Sequence, residues 1–158
     1  MSLTLNKESH TTEILIQWWQ GLENNKGTRA ELRRCTSPDK VMFQPAFQRL
    51  CQRLKPEPQE QRQLASVVGL LAHVRYTTGQ KLAYQMAGNP PVVSELRFRR
   101  LLQRDRTDLY GAMIRILRML DHRANLPDLI SSVFYWGDKV RKDWAFDYFP
   151  NTPEKAAG

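Results

Sequence analysis

Leu109-Tyr110-Gly111-Ala112-Met113-Ile114-Arg115-Ile116-Leu117-Arg118-Met119-Leu120 is the stretch on which the fold turns. Leu109, Met113, Ile116, Leu117 and Leu120 recur at helical spacing and make one apolar stripe. At ~100° per residue, Gly111, Arg115, Arg118 and His122 fall on the opposite side, within about 60° of one another. The stretch therefore predicts an amphipathic helix over about 107–123, apolar on one side and cationic on the other.

The same period runs outward in both directions. Ile14, Leu15, Trp18, Trp19 and Leu22 form a wide apolar face that Gly21 and Asn24-Asn25 close. Thr28-x-x-Glu31 has the form of a capping box and predicts a short helix from about Thr28 to Cys35. Ser37-Pro38-Asp39 supplies an N-cap with proline at the first helical position, and Pro45-Ala46-Phe47 opens a further helix through Leu50 to Leu54. Lys55-Pro56-Glu57-Pro58 is a breaker, after which Leu64, Val67, Val68 and Leu71 mark a helix reaching about Tyr76. Residues 77–91 read as a linker region around a short helical stretch. Helices follow at about 92–104, 107–123 and 127–148, with Ile130, Val133, Phe134, Val140, Trp144 and Tyr148 on the buried face of the last. No sustained period-2 strand, hairpin signal or repeat appears. The expectation is an all-α helical bundle of two small packed helical domains, residues 1–78 and a C-terminal bundle of residues 79–158.

The chain has 158 residues and a formal net charge of +8, with 16 of its basic residues Arg and 8 Lys. The excess is uneven: residues 29–62 hold eight basic and four acidic side chains, and residues 97–123 hold eight and three. Arg weighting suits phosphate or carboxylate partners, because the guanidinium fork pairs bidentately. Arg97, Arg100 and Arg104 lie within about 60° of each other on their helix, while Phe98, Leu101 and Leu102 take the adjoining arc. Few acids stand at i, i+4 to neutralise these faces, so they differ from an inert salt-bridged surface and point to nucleic acid or another polyanion. Lys139 and Lys142 point away from the last helix's buried face. Arg141 falls near the apolar arc, as a boundary ion pair or aimed at a neighbouring helix.

Other chemistry is not supported. The longest uncharged run, Leu82 to Ser94, has 13 residues and contains Pro90-Pro91. That is short of the ~20 apolar residues a membrane span needs. The N-terminus carries no apolar signal core, which argues for a cytoplasmic protein with Cys35 and Cys51 as reduced, packed thiols. His10, His73 and His122 have no metal spacing, and Walker, GxSxG and HExxH motifs are absent, so neither cofactor nor small-molecule substrate is implied. Asp105 and Asp108 are the one conceivable carboxylate pair for a metal-dependent nuclease. Helix capping by Asp105 or Thr107 explains the same residues more simply.

A series of motifs adds a family resemblance. It comprises Leu32-Arg33-Arg34, Ser37-Pro38, Pro45-Ala46-Phe47-Gln48-Arg49-Leu50, the run from Arg97-Phe98-Arg99-Arg100 to Asp105-Arg106-Thr107, Arg118-Met119-Leu120 and Tyr135-Trp136-Gly137. In order and spacing this resembles the CasB family, the small subunit of the type I-E CRISPR complex Cascade, across about Trp18 to Phe149. The resemblance implies a non-catalytic all-α subunit of antiviral defence. Two copies would lie in tandem between the crRNA-bound backbone and the large subunit. The basic surface would help hold the R-loop, mainly the displaced non-target strand, and support the crRNA–target duplex. Cleavage would belong to a separate helicase-nuclease, and guide pairing would read sequence. The residues expected to contact nucleic acid are Arg33, Arg34, Arg53, Arg97, Arg100, Arg104, Arg115, Arg118, Lys139, Arg141 and Lys142. The rival expectation is a structural adaptor whose basic faces dock protein subunits.

Overall fold

Local capping sets where the helices start. In the computed structural model, which describes residues 2–154, Ser9, Ser37, Ser94 and Asn125 each accept a hydrogen bond from a backbone N–H of the first turn that follows. Pro38, Pro45 and Pro127 sit in first turns, where their missing N–H costs nothing. The helices are α1 (His10–Gly21), α2 (Lys26–Arg34), α3 (Pro38–Met42), α4 (Pro45–Leu54), α5 (Gln61–Leu71), α6 (Leu82–Met86), α7 (Glu95–Leu102), α8 (Leu109–Met119), α9 (Leu126–Phe134) and α10 (Asp138–Tyr148). The fold is all-α, as the periodicity predicts.

α5 is the axis of the molecule. Leu64, Ala65, Val67, Val68, Gly69, Leu70 and Leu71 are all buried, so this helix is covered on every side through its second half. It packs against α3 on one side and α9 on the other, with α8 also in contact. Buried side chains from Leu5 to Tyr148 form one continuous apolar cluster. Two buried carboxylates tie distant segments to it. Glu60 accepts from the N–H groups of Leu3 and Glu57. Asp128 accepts from the Leu82 N–H at 2.8 Å and from Ser132 Oγ, which docks α6 on α9, while Lys7 stands 3.7 Å away.

Four local expectations need correction. Thr28 does not cap a helix: α2 starts two residues earlier, after Asn25. The helix after Pro58 ends at Leu71, short of Tyr76. Tyr76–Thr77 (β1) instead pairs in parallel with Arg123–Ala124 (β2), a two-residue ladder too short to show a period. The stretch 127–148 is two helices, broken at Tyr135-Trp136-Gly137 because Trp136 turns inward and is almost fully buried against Trp144. Among the described residues, no helix is long and apolar enough to cross a membrane.

Candidate nucleic-acid interface

α7 is anchored from below. Ser94 caps it, and buried Phe98 stacks on Tyr148 with ring centroids 3.8 Å apart and planes 9° from parallel. The Tyr148 hydroxyl donates to the Val93 carbonyl at 2.6 Å, fixing the entry of the chain into the helix. With Phe98 and Leu101 facing inward, the arginines of α7 turn outward.

Arg97 and Arg100 of α7, Arg104 just beyond its end and Arg115 of α8 line one groove of about 310 Å³, floored by Leu101, Ala112, Ile116 and Met119; the helix expected to reach 104 stops at Leu102. Arg97 Nη1 lies 3.6 Å from the Met119 sulfur, which holds that side chain across the groove. Among the described residues, no carboxylate lines the groove. Among the described residues, none of these four arginines takes part in an ion pair. Four like charges crowded over an apolar floor repel one another and attract an anion.

The end of α7 is pinned from the C-terminal side. The Arg104 carbonyl accepts from Trp136 Nε1 at 2.8 Å and from Arg141 Nη2 at 2.6 Å. Arg141 also lies over the Trp136 ring, 5.4 Å from its centroid, and pairs with Asp138 at 3.3 Å. Arg141 thus makes a boundary ion pair within its own helix, and it also reaches a carbonyl in the segment between α7 and α8 rather than a neighbouring helix. Asp105, just beyond, accepts from Thr107 N–H, Thr107 Oγ1 and Asp108 N–H. These hydrogen bonds hold its carboxyl below the usual aspartate range, and they occupy the group in turning the chain into α8.

A second basic cluster joins α2 to α8. Arg33, Arg118 and His122 all act electrostatically on His73, a buried side chain whose pKa falls to about 4, chiefly through desolvation. The His73 carbonyl contacts His122 Nδ1 at 2.9 Å. The sequence row Arg115–Arg118 therefore divides, Arg115 entering the groove and Arg118 lying toward Arg33 and His73. Arg34 is exposed at the end of α2. Arg53 lies apart, with Arg49 and Trp18 in a separate groove of about 400 Å³. Lys139 pairs with Asp143 at 3.0 Å and lines a cleft of about 840 Å³ that also contains Asp128, Asp147 and the exposed ring of Phe146. Lys142 is exposed on the same helix.

A family model for CRISPR-associated protein Cse2 matches residues 28–149. The chain belongs to that family. It is 30% identical over 157 residues to the CRISPR system Cascade subunit CasB of Escherichia coli K12, covering 90% of this chain and 94% of that one. Its structure resembles a chain of the crystal structure of E. coli Cascade bound to a PAM-containing dsDNA target, with a TM-score of 0.72 and 25% identity over 89% of this chain and 95% of that one. CasB from Thermus thermophilus shares the fold, with a TM-score of 0.71 at 19% identity over 88% and 97% of the two chains. The motif series read from the sequence, from Leu32 to Gly137, lies wholly within the Cse2 match.

Sequence reading did not single out Arg49, Arg75 or Arg123 in this Cse2-family chain. Arg49 is one turn from Arg53 and faces the same groove, so helical spacing held that signal. Arg75 and Arg123 come together only through the β1–β2 pairing, whose partners are 47 residues apart, which no local pattern encodes.

Proposed function

We propose that this chain is the small, non-catalytic subunit of a type I-E CRISPR Cascade surveillance complex, and that its α7–α8 arginine groove holds nucleic-acid backbone to stabilise the R-loop. The observation that carries this reading is the set of four arginines, Arg97, Arg100, Arg104 and Arg115, around one groove without a carboxylate. Arginine forks neutralise phosphates and release counterions whatever the base sequence, which suits a displaced strand whose sequence is read elsewhere by guide pairing. Arg33 and Arg118 extend the cationic surface onto α2. The partners are the backbone and large subunits, a second copy of the chain, crRNA and both strands of the target. No step of cleavage is assigned to it, and Asp105 serves the fold.

One observation favours a protein-docking role for a different face. The cleft between the N-terminal segment, α9 and α10 carries compensated charges and an exposed Phe146. Neighbouring subunits would raise the local concentration of nucleic acid, so contacts weak in the free chain count in the assembly. The test is reconstitution with the other Cascade subunits and crRNA, using the natural chain or Arg100→Ala with Arg115→Ala. The double variant should assemble normally and bind target DNA about tenfold or more weakly. Normal target affinity in a normally assembled variant complex would make the chain an adaptor whose arginines serve another purpose.

A further inference from the structure

The β1–β2 pair builds a second cationic groove, of about 600 Å³, that combines arginines with aromatic rings. Tyr76 is 55% exposed at its edge, although its backbone is locked into the ladder opposite Arg123. The Arg123 guanidinium lies 5.2 Å from the centre of the Tyr76 ring, and its Nη1 donates to the Thr77 carbonyl at 3.3 Å. Arg123 thus faces Tyr76 in a held position while much of the ring remains open to solvent. Trp19 also lines the groove, its indole N–H bonded to the Val74 carbonyl at 2.9 Å. Arg75, the residue before β1, lines the same groove and, like Arg123, has no ion pair among the described residues. Among the described residues, the groove contains no carboxylate.

The scaffold is rigid for so small an element. The Arg75 and Tyr76 N–H groups both donate to the His122 carbonyl, at 2.8 and 3.1 Å. Asp121 and His122 take left-handed conformations, with φ of 57° and 61°, to bring the chain round from α8 into β2. An exposed aromatic ring beside one held guanidinium, with a second arginine lining the same groove, is an arrangement that takes an unstacked base with its phosphates.

We infer that this groove is a base-stacking site for an unpaired nucleotide of the displaced DNA strand, with Tyr76 as the platform and Arg75 and Arg123 as phosphate contacts. The inference rests on the R-loop reading above, because stacking needs a base with a free face and guide pairing leaves only the displaced strand unpaired. It adds to that reading a grip on the base, through π contact, where the α7–α8 groove grips only phosphate.

Binding of the full chain to fluorescent dT15, to an abasic 15-mer and to rU15, at low salt, tests it. Tyr76→Ala should weaken dT15 binding about tenfold, Tyr76→Phe should restore it, and neither should change abasic binding more than twofold. Arg123→Ala should weaken both DNA oligomers, and circular dichroism should show each variant folded. Unchanged dT15 affinity in Tyr76→Ala, or an equal loss on the abasic oligomer, overturns the stacking role even where Arg100→Ala with Arg115→Ala still lowers binding. If the natural chain binds the abasic 15-mer as tightly as dT15, the stacking site falls while the phosphate groove stands. A tenfold preference for rU15 moves the groove to the guide strand and overturns the assignment to DNA. Loss of assembly by Tyr76→Ala with unchanged dT15 affinity assigns it to a protein neighbour.

Discussion

At Gly69 the absence of a side chain is what lets α8 approach α5. A Cβ there would run into the ring and hydroxyl of Tyr110, which is buried with its hydroxyl 3.5 Å from the Cys35 carbonyl. Burial raises the phenol's pKa well above its ordinary value, so it remains a neutral group in the core. Gly69→Ala should lose about 2 kcal/mol of stability by urea unfolding, within the range for overpacked cores. Tyr110→Phe should recover part of that loss in the double variant, because it removes the atom nearest the new methyl group. His73 makes a second prediction. Its Nε2 is buried without a hydrogen-bond partner, and burial together with Arg33, His122 and Arg118 lowers its pKa to about 4. The unfolded chain takes up the proton near pH 6.5, well before the folded one. Stability should therefore be flat above that pH and fall by about 3 kcal/mol as pH drops from 6.5 to 4, through this group alone. Unfolding midpoints across that window should show the slope, and His73→Gln should flatten it.

At the scale of elements, the break between α9 and α10 governs the groove more than either helix does. Trp136 of the break and Arg141 of the first turn of α10 both hold the Arg104 carbonyl, so they position the segment that leaves the arginine-bearing helix. Arg141→Ala should lower stability by about 1.5–3 kcal/mol, the scale of hydrogen bonds involving a charged group. It should leave the salt dependence of nucleic-acid binding nearly unchanged. Arg141→Lys separates the roles: it keeps the charge but lacks the planar fork, so a positioning residue loses most of its effect while a simple phosphate contact would keep it. Differential calorimetry with a salt titration on each variant reads both quantities. The same break shows what could be read from the chain. Apolar spacing placed Phe98, Leu101, Met113, Ile116 and Trp144 on buried faces, because burial of a helix face repeats every turn. The arginine side of α7 followed from the complement of that pattern. The break itself did not, since Tyr135-Trp136-Gly137 continues the apolar count and is interrupted by where one indole finds a carbonyl 32 residues away. The pairing of Tyr76 with Arg123 was hidden for the same reason: it depends on tertiary neighbours and has no local code.

Across the whole molecule, cations fall into two populations. Lys139, Arg62, Lys7, Arg141 and Arg29 have a carboxylate partner within 4.0 Å. Among the described residues, Arg97, Arg100, Arg104 and Arg115, gathered in the α7–α8 groove, do not. A net charge of +8 describes both populations together, but only unpaired cations release counterions in proportion to the phosphates they meet. For single-stranded nucleic acid each phosphate contact contributes about 0.7 to the slope of log affinity against log salt. Arg100→Ala with Arg115→Ala should therefore reduce the magnitude of that slope by about 1.4, with a stability change of no more than about 0.5 kcal/mol per exposed site. Lys139→Ala removes a charge already answered by Asp143, and should change the slope by less than half as much per residue. Anisotropy of a labelled oligonucleotide over a salt series from about one Debye length of 10 Å down to shorter screening measures all three slopes. Equal slope losses per charge in the two variants would mean that net charge alone attracts the strand, and the groove would have no special part in holding it.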